Sequence, residues 1–495
     1  MVDLVFYPFA VGFAATILIL ASDTLLKSRV KPRSAVSGSL STLAHVSLLF
    51  LAWKLWAEAG PSGSLSLSAS TGSVSSTLQV NLAGVYIFSI AAVLGLVASV
   101  YSIWYMMNYH NAAMFHSLLV LLTLSIYGIV MSGDLLTLFI FWEGMSLCGY
   151  GLVAFRKASW EALEASMKYL FLAGVGSLFA LFGIAVIYST AGTLNLESLS
   201  SLVLTPSPSI LFGLGLVITG FGVEAAIAPL HTWLPDAHPA APSPMSALLS
   251  GIVIETGSFT IIRIIASSFY SQSLVAILQP VFVGFAVATM LIGNLSAYYQ
   301  DDLKRLLAFS SVAQVGYVLL GISTFTIGGI SASVFHIWNH AILKGLFFLL
   351  AGIVTFTFGT RSLNDMAGIG RKWPLLGFLL SLNALAMTGV PPFGMFWSEF
   401  LIILSTLGTK SAFLTAATLL MLLNIALSIG YYFRIIRRIA FDKESEYLNN
   451  AKVKPRSWFL IAPCLILAAL SLITGFFPGW FYGPAFQAVQ AMVRH

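Results

Sequence analysis

The chain is a succession of apolar runs separated by short polar breaks. Each run lasts roughly 20 residues, the length an α-helix needs to cross a hydrocarbon core about 30 Å thick. Cutting at the breaks gives fourteen candidate spans, beginning near Leu4, Val36, Asn81, Met114, Asp134, Ala165, Ile210, Met245, Leu274, Leu306, Gly328, Pro374, Ser411 and Ser457. Charged residues make up only 8% of the chain, against about 25% in soluble domains. Twenty-four basic and 18 acidic residues cannot cover the outside of a globule of this size, so most of that surface must meet lipid. The sequence therefore predicts an all-α polytopic membrane protein and a single transmembrane domain over residues 1–495.

The basic residues set an orientation. The loops after odd-numbered spans hold Lys27, Arg29, Lys31 and Arg33 at one end of the sequence and Lys443, Lys452, Lys454 and Arg456 at the other, whereas the opposite side keeps only Lys54, Lys410 and Arg494. Basic loops stay in the cytoplasm, so both termini are expected outside, in a multi-pass protein of the cell membrane. The formal charge of +6 reports this topology, because no basic face for nucleic acid is present. The first span has no basic residue before it and four after it, which favours a retained helix over a cleaved signal. The uncharged Ser/Gly stretch from Gly60 to Thr77 reads as an external loop or small hairpin. Residues Pro478 to His495 read as an interfacial tail.

An ionisable group inside a span costs roughly 2.5–3.5 kcal/mol on insertion scales, so each one points to function. Glu143 lies nine residues after Asp134, about 13 Å into its span at 1.5 Å per residue. Glu224, Glu255 and Glu399 sit in later apolar runs, and Lys168 and Lys344 supply cations. His336, His340 and Lys344 recur at i, i+4 and i+8 and line one helical face. Paired charges could serve packing alone, but the number of these groups favours a proton relay. Two places combine proline with such an acid: Glu224 precedes Pro229, and Pro391-Pro392 precede Glu399. Both places read as broken helices, which transporters use at ion sites. Pro239, Pro242 and Pro244 read as a plain loop between spans seven and eight. The two halves also echo each other, with KYLFLAG at 168–174 and KGLFFLLAG at 344–352, as expected of repeats covering spans four to eight and nine to thirteen. No CxxC or Cys/His cluster surrounds Cys148 and Cys464, which are read as packing residues, so the chain offers no ligand set for iron-sulfur or zinc.

Three runs make the reading more specific: FWEGMSLCGY at 141–150, PLHTWLPDAHP at 229–239 and DLKRLLAFSS at 302–311. From about Asn81 to Ile439 the chain resembles the antiporter-like subunits of respiratory complex I, with relatives in Mrp-type cation/proton antiporters, membrane-bound hydrogenases and related archaeal respiratory complexes. The resemblance implies fourteen helices, two inverted five-helix repeats and broken helices seven and twelve. It divides the domain into 1–113 (three N-terminal helices), 114–268, 269–440 (the repeats) and 441–495 (the last helix and tail). It also implies movement of protons, or exchange of Na⁺ for protons, along a row of charged residues. Other membrane subunits and a peripheral redox arm would be partners, with iron-sulfur and other redox centres there and no cofactor, metal or catalytic centre in this chain. Glu143 matches the fifth-helix glutamate, Lys168 the sixth-helix lysine, Lys344 the eleventh-helix lysine beside His336 and His340, and Glu399 the twelfth-helix position. No long lateral helix follows span fourteen, as in the compact members.

Two positions depart from the family pattern. Glu224 stands where most members carry a lysine on helix seven, and Glu255 where many carry one on helix eight. Two carboxylates close together in a dry site cannot both ionise unless a cation intervenes, and Lys168 is the expected cation. A proton path through carboxylates, a sodium site and a non-transporting scaffold remain open, as does membership of an Mrp-type Na⁺/H⁺ antiporter as its D-type subunit. The proton path in a redox-driven complex is preferred, because sodium needs several converging oxygens. His231 and His238 are read either as relay groups or as caps of the broken helix. Asp301, Asp302, Lys304 and Arg305 are read as a solvated cytoplasmic rim, and Arg263 as snorkelling toward the external face in preference to lining an exit.

Overall fold

A computed structural model of the protein describes residues 2–26, 30–59, 65–71, 74–202, 207–268, 271–451 and 457–493. The apolar runs are helices α1 (Tyr7–Leu25), α2 (Val30–Ala59), α3 (Leu82–Tyr105), α4 (Ala112–Met131), α5 (Leu135–Val153), α6 (Trp160–Ala191) and α7 (Pro208–Glu224). They continue as α8 (Ser243–Ser268), α9 (Gln272–Tyr298), α10 (Leu303–Ile322), α11 (Ile327–Phe358), α12 (Pro374–Ala386), α13 (Gly394–Gly408), α14 (Ala412–Ile436), α15 (Trp458–Phe476) and α16 (Gly479–Val493). The polar breaks work as helix starts, since the first amides of a helix lack internal partners. Asn81 accepts from Gly84 N at 2.6 Å, Asp134 from Thr137 N at 2.7 Å and Asp302 from Arg305 N at 3.1 Å.

Among the described residues twelve helices are long and apolar enough to cross a membrane. Of the fourteen expected spans, the seventh and twelfth fall short, and these are the two in which proline accompanies an acid. Helix α7 stops at Glu224 after 17 residues, and the chain turns through Ala226, at φ 54°, into a 3₁₀ turn Leu230–Trp233 and a short helix Leu234–Ala240. The twelfth span is two helices, α12 and α13, separated by the segment that holds Pro391 and Pro392. A proline lacks the amide that an uninterrupted helix would need, so the ladder ends before it.

The two halves match in local structure. Helices α6 and α11 are each 32 residues long, and each ends on a left-handed glycine, Gly192 and Gly359. The chain after each then bridges back to the N-cap of the helix before it: Leu135 N donates to Leu194 O at 3.0 Å, and Leu303 N to Arg361 O at 2.8 Å. Helices α6 and α7 run antiparallel in backbone contact, because glycines face glycines. A Cβ on Gly220 would lie 2.4 Å from Gly176 O, and one on Gly183 would lie 2.5 Å from Gly213 O. Small residues permit this approach where lipid supplies no hydrophobic drive between helices.

Four expectations are corrected or sharpened. Arg263 does not snorkel: it is buried, and it donates to the carbonyls of Ile129 (3.1 Å), Val130 (2.7 Å) and Ser132 at the end of α4. The loop reading of Pro239, Pro242 and Pro244 holds only between the helices. Pro239 closes the helix Leu234–Ala240, Pro244 opens α8, and all three are buried. Over its described residues the Ser/Gly stretch forms an antiparallel strand pair, β1 (Leu65–Thr71) and β2 (Val74–Val80), tied to α5 through Thr77, whose amide and hydroxyl donate to Asp134 at 2.7 and 3.1 Å. The C-terminal tail is α16, which buries Ala485, Ala488 and Val489 and stacks Phe481 on Trp338 of α11. Lys27, Arg29, Lys452, Lys454, Arg456 and Arg494 lie outside the described residues. Cys148 and Cys464 are free and buried, as packing residues should be.

Candidate functional site: a buried polar row between two broken helices

The first cluster gathers α5, α6 and the end of α7. Glu224 is the last residue of α7 and is 1% exposed. Its carboxylate accepts from Ser146 Oγ at 3.2 Å and from the Tyr169 hydroxyl. Tyr169 is fixed in turn by stacking on Trp233 at 3.9 Å between centroids, and the Trp233 indole donates to Val223 O at 2.8 Å. The break in α7 and the side chain that meets its carboxylate are therefore locked together. Glu143 lies one turn before Ser146 on α5, is half-buried, and accepts from the Ser177 hydroxyl of α6. Glu143 and Ser146 share a face of α5, as their spacing requires, and both acids have hydroxyls as partners.

Lys168 is not the intervening cation. Its ammonium is half exposed and lies 2.9 Å from both Glu164 and Asp236. Arg305 reaches the same Asp236 at 3.2 Å, and Arg361 joins Asp302 at 3.0 Å to Glu161 at 2.9 Å. This rim ties α6 to the loop after α7 and to the start of α10. Lys304 is not part of it: it is 2% exposed, and its ammonium donates to Ala241 O at 3.0 Å, inside the gap before α8. His231 lies in the 3₁₀ turn with its ring edge-on to Phe309 at 6.3 Å, and His238 stacks on Phe348 at 4.4 Å. Neither ring nitrogen of His238 has a partner among the described residues, so it does not cap the broken helix.

The second cluster is built on α11, which is buried along most of its length. His336, His340 and Lys344 do line one face, and each meets a different helix. His336 bonds Gln314 of α10 at 2.8 Å and Ser398 of α13 at 3.0 Å. His340 Nδ1 lies 2.8 Å from Glu255 Oε1 of α8 with both side chains fully enclosed, a close approach that is not aligned as a hydrogen bond, and neither side chain has a hydrogen-bond partner among the described residues. Glu255 follows a π-helical turn, Leu249–Val253, which resets the face of α8 and aims the carboxylate at α11. Lys344 donates to Leu307 O at 2.9 Å and to Ser310 Oγ, which also receives the Tyr432 hydroxyl at 3.2 Å. Among the described residues Lys344 has no carboxylate partner. Glu399 neighbours Ser398 on α13 and backs onto Gly389, where a Cβ would lie 2.2 Å from its Oε2. Gly389 has φ +71°, so the break requires glycine there on two counts.

The structure thus joins Glu143 with Glu224 through α5, Glu255 with His340, and His336 with the Glu399 segment, while Lys168 stays on the rim. Sequence reasoning missed the hydroxyl and amide partners: Ser146, Tyr169, Ser177, Gln314, Ser310 and Ser398. Spacing from the acids was available as a signal only for Ser146, three residues after Glu143 on the same face.

Residues 132–424, more than half of the chain, match the family described as NADH:quinone oxidoreductase/Mrp antiporter, transmembrane. The chain belongs to this family. Among its relatives, the NADH-quinone oxidoreductase subunit N of Desulforudis audaxviator is 32% identical over 70% of this chain and 69% of its own length. The F(420)H(2) dehydrogenase subunit N of Methanosarcina mazei is 27% identical over 98% of both chains. A chain of the membrane-bound sulfane sulfur reductase, an archaeal respiratory membrane complex, superposes with a TM-score of 0.87 at 29% identity, covering 99% of this chain and 97% of that one. Like those relatives, this antiporter-like family member is a multi-pass membrane protein, and the similar structure is part of a multisubunit assembly.

Proposed function

We propose that this subunit conducts protons along the buried row from Glu143 and Glu224 through Glu255 and His340 to Glu399, within a multisubunit, redox-driven respiratory complex. The observation that carries the reading is the enclosed Glu255–His340 pair at 2.8 Å. A carboxylate and an imidazole at that separation can pass one proton between them, and they occupy the place where family members often carry a lysine. The broken helices supply the polar backbone that such a path needs at membrane depth. Sodium is disfavoured at the central pair, where the Glu255 carboxylate faces an imidazole nitrogen, whereas a hard cation needs several oxygens at one point. Electron transfer belongs to partner subunits carrying iron-sulfur and other redox centres, in a peripheral arm beside further membrane subunits. The subunit sits in the cell membrane with both termini outside and its basic loops in the cytoplasm.

The test is proton uptake by sealed vesicles carrying the native complex with Glu143→Gln. The expected result is a fall of at least ~10-fold with the subunit still assembled; unchanged uptake makes the subunit a scaffold. The second reading, a D-type subunit of an Mrp-type antiporter, rests on the family shared with those transporters. Gentle extraction followed by mass spectrometry and iron analysis separates the two. Iron-bearing partners in stoichiometric amount support the first, and small membrane subunits without iron support the second.

A further inference from the structure

A second set of titratable groups lies outside the row, in the N-terminal helices. On α2, Ser34, Ser37, Ser41 and His45 follow one another at three- to four-residue spacing and are all buried, so they form one stripe facing α3 and α4. At its inner end the stripe is fully hydrogen-bonded. His45 Nδ1 meets Ser41 O at 2.8 Å and Ser99 Oγ at 3.1 Å, His45 Nε2 meets Thr123 Oγ1 at 3.1 Å, and Ser41 and Ser99 join at 2.8 Å.

One to two turns nearer the start of α2 the picture changes. His116 is fully buried with neither ring nitrogen partnered among the described residues, and the hydroxyls of Ser34, Ser102 and Ser117 are buried and unpartnered too. Packing puts them at neighbouring levels. Gly38 opposes His116, where a Cβ would lie 3.2 Å from Nε2, and Gly38 also opposes Ile103 on α3. Each buried polar group left without a bond costs about 1–3 kcal/mol, so this concentration in an apolar bundle calls for water, which such groups hold readily.

The stripe runs from a charged end to an apolar one. Arg33, paired with Asp23 of α1, and exposed His110 and Asn111 stand at the outer end. Past His45 the same face of α2 carries Leu48, Ala52 and Leu55, all buried. Arg33 to His45 is about 18 Å at 1.5 Å per residue, over half the hydrocarbon core. No carboxylate, lysine or arginine among the described residues of α3 and α4 faces either histidine, and α1 brings only Asp23, at the mouth.

We infer that α2, α3 and α4 enclose a water-filled half-channel, open at the Arg33 end and closed past His45, that delivers protons to His116 and His45. It is separate from the row on α5 to α13. The test is deuterium exchange at the imidazole C2 position, read by mass spectrometry on the intact native complex across a pH series, because this exchange needs contact with water and follows protonation of the ring. The expected result is that His116 and His45 exchange within ~30-fold of exposed His110, with a sigmoidal pH profile. Slower exchange, or a rate that does not follow protonation, overturns the inference. In His116→Phe, exchange at His45 should drop by more than ~3-fold while His110 is unchanged. An unaltered His45 rate means that water reaches it by local opening and not along the stripe.

Discussion

The Glu255–His340 pair can be tested energetically apart from transport. Both side chains are fully enclosed at 2.8 Å, so neither can fall back on bulk water when the other is removed. Groups in direct contact inside a protein are coupled by about 0.5–3 kcal/mol. Stripping one partner from a buried pair costs about 3–5 kcal/mol, because the survivor stays enclosed and unpaired. Glu255→Ala and His340→Ala are therefore each destabilising, and the double variant should be less destabilised than their sum by about 0.5–3 kcal/mol. The assay is equilibrium unfolding in mixed micelles with rising SDS, carried through the full double-mutant cycle. Glu255→Gln serves as control: it keeps the volume and an acceptor oxygen, so its cost should stay near ~1 kcal/mol. A coupling below about 0.5 kcal/mol would refute the claim that these groups interact in the folded protein.

Other positions give further predictions. Arg263→Met removes one donor from each of three carbonyls at the end of α4, of which Ile129 O keeps Ser132 N and Val130 O keeps Asn81 Nδ2, and should destabilise the subunit by about 1–3 kcal/mol, seen as a lower SDS midpoint; an unchanged midpoint contradicts its capping role. Gly389→Ala places a Cβ where the Glu399 carboxylate lies and puts alanine at a left-handed φ, which alone costs about 1–2 kcal/mol. It should cut proton uptake several-fold with the complex still assembled, and wild-type uptake would show that the Glu399 position is unimportant.

Much of the fold was legible because the bilayer imposes a length and a polarity on every span. Asn81, Asp134, Ser411 and Ser457, read as span boundaries, are all helix caps. Proline beside an acid located both interruptions, since loss of the backbone donor is a local property. The face shared by His336, His340 and Lys344 was legible for the same reason, as it follows from one period within one helix. What each of them meets was not, because partners such as Gln314 and Ser398 come from other helices whose rotation no periodicity fixes. Lys168 illustrates the limit: it is adjacent to Tyr169, yet consecutive residues on a helix diverge by about 100°, so one reaches Glu224 and the other turns to Asp236 at the rim. Arg263 and Lys304 misled for a related reason. Long cations are expected to snorkel, but both find backbone carbonyls at helix ends inside the protein. Sequence cannot show such acceptors, because every residue has one.

The most direct test of the central claim is proton translocation by the complete complex in proteoliposomes, with Glu255→Gln set against wild type and assembly checked in the same preparation. A row that conducts through this pair predicts that the assembled variant moves at most ~10% of the wild-type protons, since glutamine can hold His340 in place but cannot exchange a proton with it. Translocation at the wild-type rate would contradict the account and remove the Glu255–His340 pair from any proton path.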